Sequence, residues 1–251
     1  MSEAPPPLVD RLGLQGFAIE MTRRFRAALA DEPPAGRVRA LTHLANAAFR
    51  ENLDRAPRPQ PVACAKGCAW CCATRVAATP PEVLALARHL RERVEPAPRA
   101  ALAARVVEAG AGLAGLDDAA RAASRRFCAL LGVDSACSVY AARPLACRGV
   151  MAFDASACKA NHEGSLPEVT YYGAPLQIRM AIQLPLMAAL RRGSLAWRLA
   201  DLPVALAVAL ARDDAEAAWL AGEDVFAAAA LPDTRFDPRQ LDSVDALVDR
   251  A

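Results

Sequence analysis

Four cysteines fall within nine residues in Cys64-Ala-Lys-Gly-Cys-Ala-Trp-Cys-Cys72, and the other four of the chain follow at Cys128, Cys137, Cys147 and Cys158. A chain of 251 residues has ample capacity for a buried core and does not need disulfide staples. Clustering this dense, with a C-x-x-C inside it, points to a metal ion or an iron–sulfur cluster. A single buried, inert thiol is common, but eight of them so grouped are not explained that way.

Spacing narrows the geometry. Cys64, Cys68, Cys71 and Cys72 stand at i, i+4, i+7 and i+8, one stripe if the segment were helical. At ~1.5 Å rise per residue, a straight helix would spread them over roughly 12 Å. A tetrahedral ion holds thiolates at ~2.3 Å, so such a helix cannot deliver all four. Gly67 is where the chain can bend to bring Cys64 inward. Cys71 and Cys72 are neighbours and point in different directions, so one ligates while the other serves a second metal or the core. The first group is thus half of a site that the downstream cysteines complete. Zinc and iron–sulfur clusters both accept four thiolates, so the donor set leaves the two open. A thiolate site carries negative charge that Arg75, Arg143 and Arg148 can offset; Lys66 reads as solvated surface.

Around this segment the pattern is helical. Alanine supplies much of the 54% hydrophobic content and aromatics only 5%, which favours close-packed helices over a β-sandwich. Leu14, Phe17, Met21, Phe25 and Leu29 form one stripe over residues 8–30, and Val38, Leu41, Leu44, Ala48 and Phe49 another. Thr79-Pro80-Pro81-Glu82 is a capping box opening a helix faced by Val83, Leu86, Leu90 and Val94. A further helix is expected from Arg99 to about Glu108. Leu176, Met180, Leu184, Met187 and Leu190 form a later stripe, with a kink expected at Pro185. Asp201 and Pro203 open the next helix, and Asp213 or Asp214 the one bearing Trp219 and Phe226. After Leu231 the polar chain reads as a loosely docked tail.

The expected fold is mainly α: a helical bundle enclosing a cysteine-cluster metal site, with a small β-hairpin near 127–140. Proline alternation in Ala-Pro-Arg-Pro-Gln-Pro, 56–61, is a stiff boundary. Three segments follow: a helical 1–60, a metal-binding 61–165 and a C-terminal helical 166–251 packing on it.

Other classes are disfavoured. Thirty basic against 28 acidic residues give a net charge of +2, too balanced to suggest nucleic acid or an anionic membrane. The longest apolar run, Leu202 to Ala211, is about half of the ~20 residues a bilayer needs, and the N-terminus lacks a secretory pattern. A cytoplasmic protein is expected. Gly110-Ala-Gly-Leu-Ala-Gly115 matches a dinucleotide loop formally, but an alanine-rich helical pattern precedes it where a strand is required, so it reads as a helix–helix loop. Cys64-x3-Cys68-x-Trp70-Cys71 fits the radical S-adenosylmethionine spacing without the βα barrel context. Cys68-Ala-Trp-Cys71 fits a redox dithiol without the thioredoxin context.

The cysteine segment, Val76, Thr79-Pro80-Pro81-Glu82, Cys128-Ala-Leu-Leu, Cys137-Ser-Val-Tyr140 and Arg143-Pro-Leu-Ala-Cys147-Arg148 together resemble the YkgJ family, the CxxCxxCC group of zinc- or iron-chelating proteins. The resemblance covers roughly residues 62–160. Its first gap holds three residues where the family name implies two, and Cys158 matches a looser part of the pattern. The cysteine region is also similar to that of flagellin lysine N-methylase, which implies an iron–sulfur cluster working with S-adenosylmethionine. Carried over, Cys64, Cys68, Cys71, Cys72, Cys128, Cys137, Cys147 and Cys158 are the candidate ligands, with Tyr140, Arg143 and Arg148 as their supporting shell. The implied cofactor is an iron–sulfur cluster, [4Fe-4S] in type, or zinc. A protein substrate or partner is implied, and Cys158-x3-His162 offers a mixed ligand, although His162 reads first as solvent-exposed.

Overall fold

Prolines and side-chain caps set the helix boundaries of this chain, whose computed structural model describes residues 8–165, 167–232 and 238–251. The expectation about a secretory pattern in residues 1–7 and the tail residues 233–237 lie outside the described residues. The helices are α1 (Leu8–Asp31), α2 (Pro34–Arg55), α3 (Pro80–Arg93), α4 (Pro96–Leu113), α5 (Asp118–Ser124), α6 (Leu145–Arg148), α7 (Ala155–His162), α8 (Gly173–Arg192), α9 (Leu202–Ala211), α10 (Ala215–Leu220) and α11 (Pro238–Arg250). Two short strands, β1 (Ala77–Ala78) and β2 (Ala200–Asp201), pair antiparallel with Ala77 opposite Asp201. The protein is mainly helical, as its composition implies.

The long helices form a row in which α11 packs on α8, α8 on α2, α2 on α3, α3 on α9 and α9 on α4, while α1 crosses α8, α2 and α11. One continuous core joins Phe17, Met21 and Phe25 of α1, Leu41 and Phe49 of α2, Leu86 and Leu90 of α3, Leu186 and Leu190 of α8, and Trp219 of α10. The indole N–H of fully buried Trp219 donates to the Ala196 carbonyl at 2.9 Å, so the ring fills the core without an orphaned donor.

Several helix details differ from the periodic reading. Leu14 is 71% exposed rather than inward, because Gly13 takes φ 66° and breaks the helical path just before it. Leu176 and Met180 are exposed; the buried face of α8 runs instead through Ile182, Leu186, Ala189 and Leu190, and the helix continues through Pro185. Phe226 lies beyond the end of α10 but is still buried. The tail is not loose: Leu241 and Val244 of α11 are buried, and Arg191 pairs with Asp242 at 2.9 Å while Arg192 pairs with Asp249 at 2.7 Å.

The glycine motif at 110–115 is a packing device. Helix α4 runs through Gly110 to Leu113, and a Cβ on Gly110 would stand 2.9 Å from the Pro203 carbonyl oxygen and 3.1 Å from the Ala207 Cβ of α9. Close approach of two backbones, not a phosphate, is what requires the glycine there. The expected hairpin near 127–140 reduces to one antiparallel bridge, Leu131 with Cys137, around a turn in which Gly132 N–H donates to the Ala136 carbonyl at 2.8 Å. Gly-Val-Asp-Ser makes the turn, but the arms diverge toward α6 and the cysteine segment before a ladder can extend.

The capping box at Thr79 forms and does more than cap. One Glu82 carboxylate oxygen accepts the Thr79 N–H and hydroxyl, both at 2.8 Å, and the other accepts the Leu145 N–H at 2.6 Å. This buried carboxylate joins the start of α3 to the start of α6. Glu82→Ala would strand these buried donors and is expected to destabilise the fold by about 3 kcal/mol or more, read by chemical denaturation. Gly110→Ala is expected to cost about 1–3 kcal/mol through the α4–α9 clash despite alanine's better helix propensity, checked the same way.

Candidate metal centre

No cysteine lies on a long bundle helix; the cysteines are carried by the loops, turns and short helices that join those helices. From Cys64 to Cys72 the chain is not a helical stripe. It runs extended, turns at Lys66-Gly67 with Gly67 at φ 89°, and closes into a 3-10 turn over Trp70–Ala73. The bend falls at the glycine that the spacing singled out. It lets Cys64 lie against the next segment, where the Ala152 N–H points at its sulfur at 3.4 Å and Ala63 N–H donates to the Ala152 carbonyl at 2.9 Å.

Three ties, one of them between backbones, bring the late cysteines to the early ones. Cys128 N–H donates to the Cys72 carbonyl at 2.9 Å. Helix α7, capped by Asp154, packs on the 3-10 turn and carries Cys158. The Glu82 bond fixes α6, which carries Cys147. A stack of rings reinforces the assembly: His162 of α7 lies 4.7 Å from Phe127 and 5.6 Å from Trp70, centroid to centroid. His162 is therefore half-buried between aromatic rings rather than a solvent-facing histidine.

Cys64, Cys68, Cys71 and Cys158 line one cavity of about 580 Å³. Cys72 and Cys128 line a crevice of about 20 Å³ that shares Thr74 and Arg121 with it. Among the described residues no three His, Cys, Asp or Glu side chains are gathered tightly enough, as they stand, to hold one ion.

The thiols differ electrically. A hydrogen bond from the Cys72 thiol holds Cys71 down at about 7, against the opposing effect of desolvation, and the same bond pushes Cys72 up. Desolvation raises Cys147, Cys128, Cys64 and Cys158. Lowered in this way, Cys71 is the readier of the adjacent pair to ionise.

Of the expected supporting residues, Arg143 faces the sulfurs: its charge acts on Cys64, Cys71 and Cys147. Its guanidinium lies 3.6 Å over the Tyr140 ring, which orients it. Arg148 turns to the backbone instead, donating to the Arg143 carbonyl at 2.9 Å and the Ala141 carbonyl at 2.7 Å. Arg75, on the cavity wall, pairs with Asp118 at 3.1 Å and Asp201 at 3.4 Å. Lys66 is surface, near Asp134.

Sequence reasoning missed Arg121. It is 4% exposed, lines both the cavity and the crevice, and its Nε and Nη1 are buried without a hydrogen-bond partner. Nothing in the short α5 sequence marks it; only the docking of α5 against the cysteine segment does. The wall also includes Asn161 and Tyr171, which carry no motif.

In the metal-free protein, alkylation of Cys71 is expected to accelerate as pH rises through about 7, while Cys147 stays unmodified until the protein unfolds. Peptide mass mapping after brief iodoacetamide treatment across pH reads both.

Residues 63–165 match the model of the CxxCxxCC family, described as "Putative zinc- or iron-chelating domain". No curated protein and no solved structure matches the chain.

Proposed function

We propose that the CxxCxxCC segment, residues 63–165, makes this chain an iron-binding protein that holds an iron–sulfur cluster through its clustered cysteines. The reading rests above all on Cys64, Cys68, Cys71 and Cys158 sharing one cavity. Four thiols are the donor set that such clusters and zinc both take. One feature favours the cluster over a lone zinc ion: the cavity is far roomier than one ion needs. A bound cluster would supply electron transfer or a Lewis-acidic iron. The chain's own part is to present the thiolates, exclude bulk water with the Trp70–Phe127–His162 stack, and offset negative charge with Arg143 and Arg121. Tyr140 and Arg148 hold Arg143 and its loop in place.

A second reading, an S-adenosylmethionine-dependent methyltransferase similar to flagellin lysine N-methylase, is favoured by one observation. Arg75, Arg121, Asn161 and Tyr171 share the cavity with the thiols and leave a polar wall for an organic ligand. A cytoplasmic location fits the reduced thiols that either reading needs, and among the described residues no helix is long and apolar enough to cross a membrane.

Anaerobic purification should give coloured protein with iron and acid-labile sulfide in about equal amounts, whereas colourless protein holding only zinc would overturn the cluster. Calorimetry with S-adenosylmethionine tests the second reading, which heat-silent titration would reject. Because the raised thiols must shed protons to ligate, metal retention is expected to fall as pH is lowered, followed by metal analysis after gel filtration.

A further inference from the structure

Besides its thiols, the large cavity is lined by three guanidinium groups, those of Arg75, Arg121 and Arg125, and among its described lining residues by one carboxylate, Asp118. At about 580 Å³ it has the size of a small-molecule pocket. The three cations are not equally engaged. Arg75 is taken up by α5 and β2: it pairs with Asp118 at 3.1 Å and Asp201 at 3.4 Å, and donates to the Asp117 carbonyl at 3.0 Å. Arg121 is 4% exposed, yet its Nε and Nη1 make no hydrogen bond. The charge of Asp201 reaches it, but Arg75 shares that carboxylate. Arg125 stands where α5 ends, in a left-handed cap at φ 48°, and its guanidinium lies against Gly164 just beyond α7.

Two carboxylates therefore stand against three guanidinium groups, which leaves one positive charge in excess. A buried cation with unmatched donors is costly, and an anion entering the cavity offsets that cost. The planar fork of arginine suits a carboxylate or a phosphate. The rest of the lining suits an organic body better than a bare ion. Trp70, His162 and Tyr171 offer ring surface, and Val150, Ala152 and Val169 offer aliphatic surface.

We infer that the cavity binds a small organic acid, its carboxylate or phosphate at Arg121 and Arg125 and its body against Trp70 and Tyr171. This rests on the reading that the cavity takes an organic ligand, and adds the chemical class of that ligand. S-adenosylmethionine is one acid among many that would satisfy it. No cysteine enters the recognition, so the inference is the same whichever metal the thiols hold.

The test is calorimetric titration of the full-length protein, purified without oxygen, with benzoate, phenyl phosphate, inorganic phosphate and neutral benzamide. Benzoate or phenyl phosphate should bind, and benzamide should bind about tenfold more weakly or worse. The tighter of the two acids tells carboxylate from phosphate. Arg121→Gln should weaken that acid roughly ten- to hundredfold, while Arg23→Gln, exposed on α1, should leave its affinity unchanged. Benzamide binding as tightly as the better acid, or unchanged affinity in folded Arg121→Gln, would overturn the site. Inorganic phosphate binding as tightly as a preferred phenyl phosphate would do so too, by removing the organic body. Circular dichroism checks folding; should Arg121→Gln misfold, Arg125→Gln, exposed at the end of α5, takes its place, with a severalfold loss expected and unchanged affinity overturning the site. Failure of both acids to bind protein that carries metal would defeat this inference and leave the metal-binding reading standing. A bound acid with heat-silent S-adenosylmethionine would defeat the methyltransferase reading and support this one.

Discussion

The Glu82 carboxylate is the joint on which the cysteine region depends. Buried in the core, it accepts two bonds from Thr79 and one from the Leu145 N–H. A buried carboxylate is costly unless its oxygens are satisfied, and here both are satisfied by donors from helix starts far apart in sequence. α3 begins just after the first cysteine group, and α6 carries Cys147. Fixing the two starts to one side chain fixes the two halves of the cysteine set relative to each other. Arg179 of α8 adds an attractive charge nearby.

From that joint the rest of the site follows by short local links rather than by long helices. The Gly67 turn folds Cys64 back, the Cys128 N–H bonds to the Cys72 carbonyl, and α7 docks through His162 between two aromatic rings. Each link brings only a few residues into register, yet together they place thiols from four chain segments around one region. The bundle acts as a frame: α2, α8 and β1 receive α6, and α4 packs tightly on α9 through Gly110. The charges of the region are arranged in the same way. Arg143 is oriented by Tyr140, Arg75 pairs with Asp118 and Asp201, and Arg121 is buried with Nε and Nη1 outside any hydrogen bond but within reach of the Asp201 charge.

The helix stripes were legible where burial is one-sided and continuous. Phe17, Met21 and Phe25, or Val83, Leu86 and Leu90, read correctly because period and packing agree. They failed at Leu14, where Gly13 breaks the helical path, and at Leu176 and Met180, which match the period but are exposed in the first half of α8. The polar tail misled for the opposite reason: two buried side chains and a set of arginine–aspartate pairs dock α11, a small signal in a polar stretch. The formal glycine motif was rejected on its missing strand, but its actual use, backbone contact with α9, could not be seen without the partner helix.

For the candidate centre, the sequence alone determined the chemistry: eight thiols, their grouping, the bend at Gly67, the capping box and the arginine beside Cys147. These are local, set by residue type and by spacing along the chain. Tertiary structure decided which thiols share a space, that His162 stacks rather than faces water, and that Arg121 belongs to the site at all. Those depend on segments separated by tens of residues meeting at one joint, and no local propensity encodes such a meeting.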